Sequence, residues 1–145
     1  IEAGKRVVEA GIKLSLMVIL GLAGADGSDR HARETARAIN EIKPNMLSAL
    51  TLMLYRGSEL LDQYEKGEFT PLSPQGIMLE LHKIISLVEL PPEGHCLFRS
   101  NHVSNYVQLA ATLPKDKDKL LGQIAQAASE LGKWKDWDVY NNTRY

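Results

Sequence analysis

The densest apolar run of the chain covers residues 14–22, Leu-Ser-Leu-Met-Val-Ile-Leu-Gly-Leu, and breaks into a turn punctuated by Gly21, Gly24 and Gly27. An apolar run without polar alternation is what a strand buried on both faces of a parallel sheet looks like. The pattern therefore predicts a strand over residues 13–20, with the glycine turn at its carboxyl end. Over residues 28–42 the period becomes helical: Ala32, Thr35, Ala36 and Ile39 share one face, and Arg30, Arg33, Arg37 and Glu41 lie elsewhere. Small residues on the apolar face let this helix sit close to a sheet. Asp26 or Ser28 is the expected cap, because either side chain can accept from the free N–H groups of a first turn. Pro44 ends the helix, since proline disfavours helical geometry in the residue before it.

Residues 46–54 repeat the strand pattern, and Tyr55-Arg56-Gly57-Ser58 follows as a turn. A short helix over 59–66, closed by Gly67, precedes a longer one over 74–90 whose buried stripe is Ile77, Leu81, Ile84, Ile85 and Val88. Pro91-Pro92 stops it, and residues 95–99 form a third short strand. Residues 99–113 read as irregular or short-helical, and Pro114 opens a final helix to about residue 131. Residues 132–145 form a polar, aromatic, partly ordered tail that Trp134 and Trp137 dock.

Strand, helix, strand, helix, strand makes two parallel crossovers. Three strands are too few to close a barrel. At the other end, residues 2–10 read as the last turns of a helix, with Gly11 at a left-handed cap and no N-cap ahead of it. The chain is therefore expected to begin inside a longer protein. The fold class is α/β, a partial (β/α) barrel of about three parallel strands with flanking helices. Residues 1–113 supply its later half, and residues 114–145 add a helix and tail packed on the same domain.

Composition narrows the function. A net charge of −1, with 44% hydrophobic and 24% charged residues, fits a soluble globular domain and gives no footing for nucleic acid or an anionic membrane. No apolar run approaches the ~20 residues of a membrane span. The lone Cys96 forms no internal disulfide, which suggests a reducing cytoplasm. One thiol also cannot by itself hold a zinc ion or an iron–sulfur cluster.

Two groups of residues carry candidate chemistry. Gly21, Gly24 and Gly27 allow either close backbone approach of a nucleotide or a plain tight turn. Their spacing is not the dinucleotide-binding fingerprint. Past the third strand, Arg99, Asn101, His102, Asn105 and Tyr106 cluster where barrel enzymes keep their chemistry. Arg99 could pair with a carboxylate, and His102 belongs to the residue type that titrates near neutrality. The alternative is a hydrogen-bonded loop that seals the barrel mouth. His31 and His82 read as surface histidines, Cys96 as a small buried hydrophobe, and the run 115–119 as a solvated first turn.

Gly11-Ile12-Lys13, then Val18-Ile19-Leu20-Gly21-Leu22-Ala23-Gly24, then Leu50-Thr51-Leu52 ending in Gly57-Ser58-Glu59-Leu60, resembles the second half of a radical S-adenosylmethionine (SAM) barrel. Ala23 stands where that family commonly has proline, and Ser58 where it has threonine. The segment Phe98-Arg99-Ser100-Asn101-His102-Val103-Ser104-Asn105-Tyr106, with Leu113-Pro114-Lys115-Asp116-Lys117, is similar to a subset of radical SAM or Fe–S oxidoreductase proteins. The likeness spans about residues 7–128. It implies a [4Fe–4S] cluster that cleaves SAM to a 5′-deoxyadenosyl radical, held by a Cys-x3-Cys-x2-Cys loop that this chain does not contain. The cluster would then belong to a missing N-terminal half, the main partner, and this stretch alone would be inactive.

By the family pattern, Ile19, Gly21 and Gly24 on one turn and Leu54 and Tyr55 on the other would bind the cofactor. Arg99, Asn101, His102 and Asn105 would face a small-molecule or peptide substrate. Met17 stands near where some relatives place a ribose-binding carboxylate, and a thioether is a poor acceptor. Two rivals remain. One is another barrel enzyme of isomerase, aldolase or hydrolase type, for which clustered carboxylates or a strand-end lysine are missing. The other is a binding or scaffold module pairing copies through an exposed sheet edge.

Overall fold

Three runs rich in β-forming residues pair side by side in the computed structural model, which describes residues 1–134. β1 (Ser15–Leu20) lies parallel to β2 (Met46–Thr51) in the register Met17↔Ser48 and Ile19↔Leu50. β2 lies parallel to β3 (Cys96–Ser100), but only from Met46↔Leu97 to Ser48↔Arg99. A fourth strand, β4 (Leu109–Leu113), runs antiparallel to β3 with Phe98 opposite Ala111. The result is an open mixed sheet in the order β1-β2-β3-β4. Among the described residues five helices accompany it: α1 (Glu2–Glu9), α2 (Gly24–Ile42), α3 (Glu59–Glu65), α4 (Pro74–Leu87) and α5 (Lys117–Leu131). No helix among the described residues is long and apolar enough to cross a membrane.

The three parallel strands follow the hydrophobic pattern; β4 corrects it. Leu109, Ala111 and Leu113 point inward and Ala110 and Thr112 outward, a period of two. Two alanines mask that period, because alanine is depleted in strands and reads as readily as helix. The final helix also starts later than Pro114. Asp116 accepts from the Thr112 N–H through Oδ2 at 2.9 Å, tying a turn between β4 and α5. Within the run 115–119, Lys117 is not simply solvated. Its ammonium donates to the Ser86 and Val88 carbonyls at 2.9 and 2.7 Å and satisfies the end of α4. Asn40 of α2 does the same from the other side, donating to the Leu87 carbonyl and accepting from the Glu89 N–H.

Helix α4 lies between α2 and α5 and packs on both. Their buried side chains meet Leu20, Leu47, Ala49, Cys96, Phe98, Ala111 and Leu113 in one core on a single face of the sheet. The opposite face, carrying Met17, Ile19, Ser48, Leu50, Leu97 and Arg99, is only partly covered, and Met17 is 73% exposed. Burial on both faces was the expectation for β1 and β2. It fails because the helices that meet the sheet gather on one side. The sequence conceals this, since Met17, Ile19, Leu50 and Leu97 on the open face are as apolar as their buried neighbours.

Ser100, at the end of β3, is fully buried, and its hydroxyl is the one buried side-chain polar atom without a partner among the described residues. An unpaired buried hydroxyl costs stability that an alanine does not. Ser100→Ala is accordingly expected to be neutral or stabilising by up to about 1 kcal/mol, read from the urea midpoint at unchanged m-value.

Candidate functional site

The turn after β1 is held by a carboxylate that the hydrophobic pattern hides. Glu80 sits in the apolar stripe of α4 with 3% of its surface exposed. Its Oε1 accepts from the Gly21 backbone N–H at 2.8 Å, and its Oε2 accepts from the Ser28 hydroxyl at 2.5 Å. His31 Nδ1 lies 3.1 Å from Oε1. Burial pushes the Glu80 carboxyl up, but hydrogen bonds from His31, Ser28 and Gly21 outweigh it, and the net shift is downward from the ordinary carboxylate value.

This arrangement corrects two expectations. Ser28 is not a cap but part of a buried polar cluster, and Asp26 stands inside the first turn without capping it. Helix α2 begins at Gly24 behind Ala23, and its early N–H groups are met by backbone: Ala25 donates to the Thr70 carbonyl at 2.7 Å. His31 is not a surface histidine either, being 82% shielded at its side chain beside Glu80. The signal available in the sequence was a glutamate in register with Ile77, Ile84 and Leu81 on a helix otherwise apolar on that face.

Gly21 and Gly24 are both buried and both have positive φ, 79° and 66°. A Cβ on Gly21 would meet the tip of Ile77 at 2.8 Å; one on Gly24 would meet the Thr70 carbonyl oxygen and the Phe69 ring at 2.9 Å. The two glycines thus let the turn nest against α4 and the segment before it. Gly27 lies within α2.

The ladder between β2 and β3 stops at Ser48, which leaves backbone groups of Ala49 and Thr51 without a strand partner. Side chains from the loop after β3 take their place. Asn105 donates through Nδ2 to the Ala49 carbonyl at 2.8 Å and accepts from the Thr51 hydroxyl at 3.0 Å. The Thr51 N–H donates to Ser104 Oγ at 3.1 Å. Asn105→Ala strands both a carbonyl and a hydroxyl. The expected loss is about 1–3 kcal/mol, measured by chemical denaturation.

A cavity of about 180 Å³ opens where these pieces meet. Ile19, Leu50 and Leu52 form its apolar wall, Met53 and Tyr55 border it, and His102 and Ser104 come from the loop. It therefore brings together Ile19, Tyr55 and His102 from the two expected groups. Leu54 is buried nearby, in a small cluster with Leu61. Asn101 is exposed, and Arg99 turns along the sheet, donating to the Phe98 carbonyl at 2.7 Å and the Ala111 carbonyl at 3.5 Å. Tyr106 packs on the core and meets the exposed Trp134 edge to face, with centroids 6.3 Å apart. Trp137 and the tail from residue 135 lie outside the described residues.

The residues present do not fit an iron–sulfur cluster. Cys96 is buried on the helix-covered face, where burial pushes its thiol up to about 11, and so it is neither reactive nor turned toward the cavity. Among the described residues no group of His, Cys, Asp and Glu is placed to hold a metal ion. A larger groove of about 370 Å³ beside the C-terminus of α2, lined by Lys5, Asn40 and Lys43 among others, lies toward the amino end of β2 and away from the strand carboxyl ends. Geometry defines an α/β sheet with its candidate site at the carboxyl ends of parallel strands, where such folds bind ligands. No family model, curated protein or solved structure matches the chain.

Proposed function

We propose that this chain is the later part of a radical SAM-type (β/α) barrel and supplies one wall of its SAM pocket and part of its substrate side. The observation that carries the proposal is the convergence of Ile19, Tyr55 and His102, from two strand ends and the loop after β3, on one cavity. A sheet with helices on one face and an apolar, part-open second face supports the same reading, because in a barrel completed by further strands that second face would be the inner lining. When bound, SAM with its cluster would supply the radical chemistry. This chain's contribution is apolar contact from Ile19, Leu50 and Tyr55, and the fixed backbone of the turn at Gly21. Of the expected substrate-side residues, His102 lines the cavity, while Arg99 is bonded along the sheet and Asn101 is exposed outside the lining. In this reading the cluster ligands would belong to other segments of a longer, cytoplasmic protein.

The test is anaerobic reconstitution, with iron and sulfide, of the natural polypeptide that contains this sequence. Release of 5′-deoxyadenosine from SAM is the expected result. A polypeptide with no Cys-x3-Cys-x2-Cys loop removes the proposal. A second reading, a module that pairs copies of itself, draws on β1 being an edge strand that carries the exposed Met17 and Ile19. Sizing in solution distinguishes the two, since the module reading requires a dimer of the intact polypeptide.

A further inference from the structure

We propose that His102 is a ligand-contacting hydrogen-bond donor whose tautomer is set by the fold, and that it takes an acceptor atom on a planar heteroaromatic group seated in the cavity at the carboxyl ends of β1 and β2. A relay of bonds starts inside the protein. Thr51, 6% exposed, donates its N–H to the hydroxyl of Ser104, 5% exposed. That hydroxyl still has its own hydrogen to place, and His102 Nδ1 is 2.8 Å away. The Ser104 backbone N–H points at the same nitrogen from 3.2 Å. A backbone N–H can only donate, so Nδ1 is an acceptor, and the neutral ring carries its hydrogen on Nε2. The other ring nitrogen thus determines what His102 offers a ligand, as in sites where a second bond fixes the imidazole.

Nε2 has no protein partner among the described residues, and His102, itself exposed, lines the cavity with Ile19, Leu50, Leu52, Met53 and Tyr55 beside Thr51 and Ser104. A freely turning loop histidine presents either nitrogen. This one is tied to β2 through Ser104 and presents one. The walls around it are apolar and aromatic, which suits a flat ring. Their volume is below the ~300 Å³ at which sites for whole drug-sized ligands begin, so the cavity takes one ring system with the rest of the ligand outside. Mainly apolar walls with a donor fixed at His102 select for a ring that bears an acceptor on the matching edge.

The choice of probe rests on the SAM reading above; the donor assignment does not. In the histidine-¹⁵N-labelled chain, long-range ¹H–¹⁵N spectra are expected to show His102 as the Nε2–H tautomer, and Ser104→Ala, which removes the hydroxyl but keeps the backbone N–H aimed at Nδ1, to retain that tautomer. Adenosine, titrated to millimolar concentration, is expected to move His102 Nε2 together with Ile19 and Tyr55 amides. His102→Ala, checked for fold by its amide spectrum, is expected to weaken adenosine at least tenfold, and His102→Gln, which keeps an N–H donor, to recover part of that. An Nδ1–H tautomer in the wild-type chain overturns the proposal. So does equal adenosine affinity in His102→Ala, which leaves the SAM reading standing. No response at Ile19 and Tyr55 removes the SAM reading and the ligand half of the proposal together.

Discussion

Replacing Glu80 with alanine is expected to destabilise the protein by about 3 kcal/mol or more, because each buried donor left without its acceptor costs about 1–3 kcal/mol. The substitution strands the Gly21 N–H, the Ser28 hydroxyl and His31 at once. Each is inside or half-inside, so water cannot fully replace the lost acceptor. Glu80→Gln keeps the volume and one oxygen, and should cost less. Acidity gives an independent check. The folded-state carboxyl titrates below its ordinary value. Its contribution is therefore fully present above the unfolded-state value, ~4.3, and is lost as pH falls through the lower folded value. The stability curve of the wild-type chain should fall across that window, and the curve of Glu80→Gln should fall less. Parallel curves for the two proteins would mean that Glu80 does not act as a carboxylate.

The second large effect falls on the same turn. Gly24→Ala places a side chain on a residue with φ of 66° and directs it at a backbone oxygen, Thr70 O, at 2.9 Å. The left-handed conformation costs an L-residue roughly 1–2 kcal/mol, and forcing a methyl into a filled space typically costs ~1–3 kcal/mol more. A carbonyl belonging to a bonded loop cannot swing aside as the tip of a side chain can, and this one already accepts from Ala25. Gly21→Ala has the same backbone penalty but meets the movable end of Ile77, and is expected to be the milder change. Thermal melts of the two variants should therefore rank Gly24→Ala below Gly21→Ala. The reverse order would mean that the loop before α4 yields more easily than the helix itself.

Periodicity and punctuation recovered the parallel part of the fold. Val18, Ile19 and Leu20 read as strand because nothing polar interrupts them, and Pro44 ends α2 for a reason local to the chain. Helix α4, by contrast, stops at Leu87, short of the expected stop at Pro91, where Asn40 and Lys117 meet its last carbonyls. Where the reading failed, a distant partner decided. Ser28 looks like a cap from its neighbours alone, yet it bonds to Glu80, and the frame of α2 is set instead by Thr70. His31 was unreadable for the same reason: its face of α2 is polar until α4 arrives. Strand β4 was hidden by two alanines, whose preference gives way to pairing with β3. The candidate site was legible as a set of strand ends. The distinction between lining residues and supporting ones was not, because Asn105 and Ser104 act on backbone groups of β2 that only the short β2–β3 ladder leaves vacant.

The bonds that hold the carboxyl ends of β1 and β2 join residues far apart along the chain: 59 positions separate Gly21 from Glu80, 53 separate Thr51 from Ser104, and 56 separate Ala49 from Asn105. Closing such loops loses entropy before any contact repays it. A peptide covering only β1, its glycine turn and α2 holds none of the three partners. The arrangement of these strand ends is thus expected to be a late product of folding, and its maturation can be timed by the protection of the Gly21 and Thr51 amides against solvent exchange.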